Sequence, residues 1–230
     1  MKRDLLEQAI KARDAKRSSV LVRGLKGEVG FLVDENQVFG DVPKTLSGLL
    51  EHATNALNKD ESQTVEFLGE TYLVQALAGP RRLLIIGAVH IAQKLIPLAT
   101  IAGYEVQLID PRKAFASPER FPGINIVNDW PHEAMKTLQL DSRTAVVTLS
   151  HDAKIDEPAL RAALESRAFY IGALGSQKNH AKRIQRLATL GFDEKTLARI
   201  AGPVGLPLGG RSPAEIAVAI LAQIIQAVYQ

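Results

Sequence analysis

Uninterrupted apolar runs, each closed by glycine or a polar residue and followed by helical spacing, leave this chain few ways to fold. RRLLIIG (81–87) is the first of them. A strand with one wet face alternates apolar and polar residues, so an unbroken run marks a strand buried on both faces of a parallel sheet. Strands are also expected at YEVQLID (104–110), 124–127, TAVVTLS (144–150) and AFYIGAL (168–174), and helices over 91–103, 131–137, 157–165 and 176–190. Such alternation builds right-handed βαβ units into a doubly wound, Rossmann-like parallel sheet. Ser212-Pro213-Ala214-Glu215 opens a last helix with a capping box and proline at the first helical position. Its continuation, IAVAILAQIIQAV, is nearly all apolar and should be buried against the sheet or a second protein chain.

The pattern before residue 80 is different. Leu5, Leu6, Ala9 and Ile10 recur at helical spacing, so 3–17 reads as an amphipathic helix with a basic outer face. SSVLVRGL, GEVGFLV and QVFGDV read as short strands, with turns at Lys26-Gly27 and Glu35-Asn36. A helix is expected over 44–58 and a hairpin in QTVEFLGETYLVQAL, turning near Gly69. Ala78-Gly79-Pro80 then breaks the chain. The expected organisation is therefore α/β: a small mixed α+β N-terminal domain over 1–79 and a Rossmann-like domain over 80–230.

Composition excludes several function classes. The 230 residues contain no cysteine, which rules out disulfides, thiolate metal sites and a cysteine nucleophile. Apolar runs of about ten residues fall short of the roughly 20 that span a bilayer, and the charged N-terminus lacks the apolar core of a signal peptide. These features imply a soluble, cytoplasmic protein that engages no membrane. The net charge of +3 is unevenly placed. Residues 1–17 hold six bases against three acids, and 176–190 hold Lys178, Lys182, Arg183 and Arg186 with no acid. No face interleaves bases with aromatics, so a local anion site is favoured over nucleic acid.

Four stretches carry candidate chemistry. The turn Gly87-Ala88-Val89-His90-Ile91-Ala92 has glycine at only the first of the three places of a dinucleotide fingerprint. Valine at the third place obstructs approach to a pyrophosphate, whereas Asp110, 23 residues after Gly87, stands where a ribose-binding acid sits. NAD(P) is thus a secondary cofactor candidate, in an oxidoreductase using His90 or His151 as acid and base. His90 and His151-Asp152 end two strands at the carboxyl edge, where open α/β sheets bind ligands. They can serve as acid/base groups, metal ligands or ligand hydrogen-bonders, and no metal site is assigned. In Ile171-Gly172-Ala173-Leu174-Gly175-Ser176-Gln177-Lys178 a strand ends in a glycine turn that opens a helix. Ser176 caps that helix or donates to an oxyanion, and Lys178 adds charge. Finally, the glycine- and proline-rich loop 202–213 is either a structural turn or a ligand lid, with Arg211 able to pair with phosphate or carboxylate.

Taken in order, LLIIGAVHIA, LIDPRKAFASPERFPG, VVTLSHDAKIDEPAL, YIGALGSQKNHAKRIQRL and PVGLPLGGRSPAEIAVAILAQI resemble the XdhC/CoxI family over about residues 80–230. These are accessory proteins for xanthine dehydrogenase and carbon monoxide dehydrogenase. The resemblance implies a chaperone that binds molybdenum cofactor (molybdopterin), supports its sulfuration and delivers it to an apo-molybdoenzyme of the xanthine dehydrogenase type. A sulfurtransferase and a second copy of the chain, forming a homodimer, are further expected partners. Carried onto this sequence, the cofactor crevice would involve Gly87, His90, Asp110, His151, Asp152, Gly175, Ser176 and Lys178, with Arg211 added from the last loop. A terminal phosphate suits the turn at Gly175-Ser176. The family turn reads Gly-Ala-Gly-His, and this chain has Val89 at the second glycine. The family's N-terminal Gly-Ser-x-Pro-Arg segment has only a loose echo here, around Gly27–Gly30 and Gly40-Asp41. Without cysteine, the chain must hold the cofactor by pterin and phosphate, or leave sulfur chemistry to another protein. A third reading is a scaffold that docks a molybdoenzyme or a maturation factor through the apolar last helix.

Overall fold

The computed structural model describes residues 3–15, 17–26, 30–34, 37–40, 42, 47–77, 79–138 and 140–229. The turns expected at Gly27 and Glu35-Asn36, and most of the echo at 27–30 and Asp41, lie outside them. The chain forms two compact units, residues 1–80 and 81–230.

In the first unit α1 (Arg3–Asp14), β1 (Ser19–Gly24), β2 (Gly30–Asp34), β3 (Val38–Phe39), α2 (Gly48–Lys59), β4 (Gln63–Phe67) and β5 (Glu70–Leu77) follow in order. The strands pair antiparallel in the order β3-β2-β1-β5-β4. Alternation divides the sheet between two helices. Val20, Val22, Phe31, Val33 and Val74 pack with Leu49, Ala53 and Ala56 of α2. Leu21 and Leu32, pointing the other way, meet Leu5 and Ala9 of α1. The hairpin turns at Leu68 and Gly69, both with positive φ, as a two-residue turn between twisted strands requires.

The second unit runs β6 (Arg82–Ile86), α3 (His90–Ile101), β7 (Glu105–Ile109), β8 (Asn125–Val127), α4 (Pro131–Thr137), β9 (Thr144–Thr148), α5 (Ala153–Leu164), β10 (Tyr170–Ala173), α6 (Gln177–Ala188), α7 (Glu194–Leu197), β11 (Ile200–Ala201) and α8 (Pro213–Tyr229). Its six strands are all parallel, in the order β11-β10-β9-β6-β7-β8. The chain steps from β6 outward through β7 and β8, returns to β9 beside β6, and steps outward again. This is the doubly wound order, and the reversal lies between β6 and β9.

The unbroken apolar runs are explained by cover on both faces. Leu83, Ile85, Ala145 and Val147 face α3 and α8, whereas Leu84, Ile86, Val146 and Ile171 face α4, α5 and α6. Each fully buried leucine or isoleucine contributes about 1.5–3 kcal/mol. Helix α5 begins at Ala153 rather than 157 because Asp152 caps it, its carboxylate accepting the Lys154 N–H at 2.9 Å. Sequence periodicity missed α7 and β11, which are four and two residues long. Among the described residues no helix is long and apolar enough to cross a membrane.

Gly172 fixes where the last loop crosses the sheet. A Cβ there would lie 2.5 Å from Val204 Cγ2 and 2.9 Å from the Tyr170 ring, and the Val204 N–H donates to the Ala173 carbonyl at 3.1 Å. Gly172→Ala is therefore expected to cost about 1–3 kcal/mol. Urea denaturation should show part of that loss restored by adding Val204→Ala; no restoration would place the obstruction elsewhere.

Candidate functional site

The candidate site lies at the carboxyl edge of the parallel sheet, where β6 and β9 part. Three loops meet this edge: Gly87–Val89 after β6, Ser150–Asp152 after β9 and Leu174–Ser176 after β10. Each leads into a helix N-terminus, where backbone N–H groups and the helix dipole favour negative charge. Gly87 lets the first two loops touch. Its φ is +110°, and a Cβ would sit 2.7 Å from the Ser150 backbone nitrogen.

Asp110 holds the first loop from beneath. Its carboxylate is fully buried and accepts four hydrogen bonds. Oδ2 takes the Ala88 N–H at 2.8 Å and an Arg112 Nη2–H at 2.7 Å. Oδ1 takes the Arg112 backbone N–H and Nε–H, both at 2.9 Å. Burial pushes this carboxyl up, but Arg112 and the two backbone donors outweigh burial and hold it below the ordinary aspartate range. The spacing in the sequence made Asp110 a ligand-binding acid. The structure instead shows both oxygens saturated, with no acceptor left for a ribose hydroxyl. Val89, at the fingerprint's third place, is the N-cap of α3 and supplies no side-chain cap.

Around the second loop, Asp156 is 2% exposed and accepts from Ser150 N–H at 3.2 Å and Ser150 Oγ–H at 2.6 Å. Burial is the largest influence on its carboxyl and raises its pKa, against the lowering effect of Ser150 and nearby Arg183. His151 is exposed, yet its φ is +64°. That conformation is unusual for a residue with a Cβ, and it gathers at functional positions. At the third loop Ser176 caps α6, accepting the Asn179 N–H at 3.2 Å. Lys178 is exposed beside it.

The structure thus gathers Gly87, His90, His151, Asp152, Gly175, Ser176 and Lys178 along one edge of the sheet, with Asp152 and Ser176 both engaged as helix caps. Arg211 is exposed where the loop enters α8. Its backbone N–H donates to Glu215 at 3.0 Å, and among the described residues no hydrogen bond or ion pair ties its side chain to this edge. No cluster of three or more His, Asp or Glu side chains suited to a metal occurs among the described residues.

Sequence reasoning missed a cavity of about 220 Å³ lined by His151, Asp156, Leu174, Asn179, Lys182 and Arg183, with Ala153, Glu157 and Arg186 also on its wall. The signal was present: 179, 182, 183 and 186 share one helical face. Counting bases along 176–190 without sorting them by face concealed it.

The doubly wound α/β order, with three helix N-termini at the carboxyl edge, is the architecture of a Rossmann-type domain. The model of the XdhC Rossmann domain matches residues 83–224, and the chain belongs to the XdhC family. The molybdenum cofactor insertion chaperone PaoD of Escherichia coli is 34% identical over 143 residues, covering 62% of this chain and 39% of PaoD. A Bacillus subtilis protein named as a probable subunit of xanthine dehydrogenase is 27% identical over 198 residues, 85% of this chain and 56% of that protein. The chain therefore spans between about two fifths and just over half of these curated relatives. A crystal structure described as a xanthine dehydrogenase from Bacillus halodurans superposes with a TM-score of 0.69 at 24% identity, over 99% of this chain and 67% of that one. That likeness is one of fold.

Two outcomes test this geometry. Asp110→Ala should cost about 3 kcal/mol, because it strands the Ala88 N–H and leaves Arg112 without its partner; a loss below about 1 kcal/mol in urea would contradict the role given to the carboxylate. At position 151 the left-handed backbone predicts that His151→Ala is about 1 kcal/mol less stable than His151→Gly. Equal melting temperatures for the two variants would remove the case for strain.

Proposed function

We propose that this chain binds molybdenum cofactor at the carboxyl edge of its parallel sheet and passes it to an apo-molybdoenzyme of the xanthine dehydrogenase type. The observation that carries the reading is the 34% identity to PaoD, named a molybdenum cofactor insertion chaperone, across 143 residues. The Bacillus subtilis relative, named for xanthine dehydrogenase, supports the same class of partner.

The residues present fit such a cargo. Gly175 carries no Cβ at the edge, so a flat ring system can approach the backbone there, whereas the space beside Gly87 is taken by Ser150. His90, His151 and Asp152 offer hydrogen-bonding groups for a pterin, and the α6 N-terminus with Lys178 offers charge for its phosphate. What the cofactor supplies when bound is its molybdenum chemistry. The chain's part is to hold the pterin, exclude water and release the cargo. Any sulfur added to the metal must come from another protein, such as a sulfurtransferase, because no cysteine exists here.

The nicotinamide reading loses its main support once Asp110 is saturated by Ala88 and Arg112. Expression in a host that makes molybdopterin is the test of the cofactor reading. The purified chain should retain the pterin, detected by fluorescence after oxidation, and reactivate an apo-hydroxylase on mixing. Absence of pterin, together with no reactivation at micromolar protein, would sink it.

A further inference from the structure

The cavity between the start of α5 and the exposed face of α6 holds an orphan. Arg183 is 6% exposed and lines the cavity wall. Its Nη2–H donates to the Leu174 carbonyl at 2.8 Å, whereas Nη1 is buried without a hydrogen-bond partner. No carboxylate forms an ion pair with Arg183 among the described residues. A buried charged donor left unsatisfied costs more than a neutral one in the same position, and a bound anion in the adjoining cavity is one arrangement that would satisfy it.

The neighbours narrow the ligand's chemistry. Lys182 is exposed at the rim and has no ion-pair partner among the described residues, and His151 and Asn179 stand beside it. Two acids also line the wall, and both are engaged. Glu157 accepts from Arg186 Nε at 2.6 Å, and Asp156 accepts from Ser150. Burial pushes the Asp156 carboxyl up, and Ser150 and nearby Arg183 oppose that shift. One further donor faces this side of the sheet. Thr148, two residues beyond Val146 on β9, shares its face; its Oγ is buried without a partner but does not line the cavity.

Size decides what part of a ligand enters. A volume of about 220 Å³ falls below the roughly 300–1,000 Å³ that takes a whole cofactor, so the cavity suits a head group. We propose that it is a phosphate-monoester subsite, anchored on the Arg183 guanidinium and closed by Lys182, with His151 and Asn179 at its mouth. It adjoins the Gly175–Ser176 turn through Leu174 and Asn179, and a phosphate seated here takes the place of one seated on that turn. The proposal deepens the cofactor reading only in the identity of the natural ligand; the subsite itself stands on the orphaned arginine.

Inorganic phosphate is the direct probe, followed by titration calorimetry on the full chain. Saturable binding is expected, weakened about tenfold or more by Lys182→Glu, as the loss of a charge-assisted contact predicts. Arg183→Lys keeps the charge, loses the Nη1 donor and should weaken binding as much, with its melting temperature measured alongside to confirm folding. Lys195→Glu on α7 makes the same charge change away from the cavity and should leave binding unaltered. Competition identifies the source: displacement of phosphate by molybdopterin assigns the subsite to that cofactor, and displacement by adenosine monophosphate alone assigns it to a nucleotide. No saturable binding, or binding indifferent to both Lys182→Glu and a folded Arg183→Lys, overturns the proposal. Retention of molybdopterin by a chain that ignores phosphate would defeat this subsite while leaving the cofactor reading standing.

Discussion

The buried carboxylate of Asp110 ties together the end of β7, the loop after β6 and Arg112, through the four hydrogen bonds it accepts. A charge removed from water is tolerated only when paired and fully hydrogen-bonded, and here every lone pair is used. The consequence reaches beyond the pair. With the Ala88 N–H held from below, Gly87 keeps the positive φ that brings it against Ser150, and α3 starts where it does. The switch-point edge is therefore preset by an interaction that lies beneath it.

Two kinds of polar group coexist at this edge. Asp110, Asp152 and Ser176 are satisfied by the chain's own backbone or side chains, and they set loop and helix ends. Arg183 Nη1 and Thr148 Oγ are buried without partners, and His151 holds a backbone conformation that a side chain disfavours. Rules of satisfaction and unstrained backbone hold in the first set and fail in the second. Ser19 Oγ in the first unit and His180 Nδ1 on α6 are also buried without partners, so an unpaired atom is informative only where, as with Arg183, it coincides with a cavity.

Much of the fold was legible because apolar periodicity reports burial directly. The runs at 81–87 and 144–150 lie on β6 and β9, both covered on two faces, and the alternating strands before residue 80 form a sheet divided between α1 and α2. What periodicity cannot resolve is an element only about one period long, hence the missed α7 and β11. The site was legible by loop and less so by residue. Gly87 and His151 were placed on the edge because glycine turns and strand ends mark it. Asp110 was given a ligand's role because spacing reveals a position, not which hydrogen bonds a carboxylate already makes. The cationic face of α6 was counted as charge and not recognised as a wall.

The sequence by itself determined the fold class, the alternation that builds the parallel sheet, the absence of thiol chemistry and the family signature. These depend on residue type and on spacing along the chain. Tertiary structure alone decided which polar groups are used up and which are left over. That depends on groups distant in sequence, such as Ala88 with Asp110 and Leu174 with Arg183, arriving within hydrogen-bond distance. Desolvation then makes a satisfied carboxylate tolerable where it stands and an orphaned guanidinium costly.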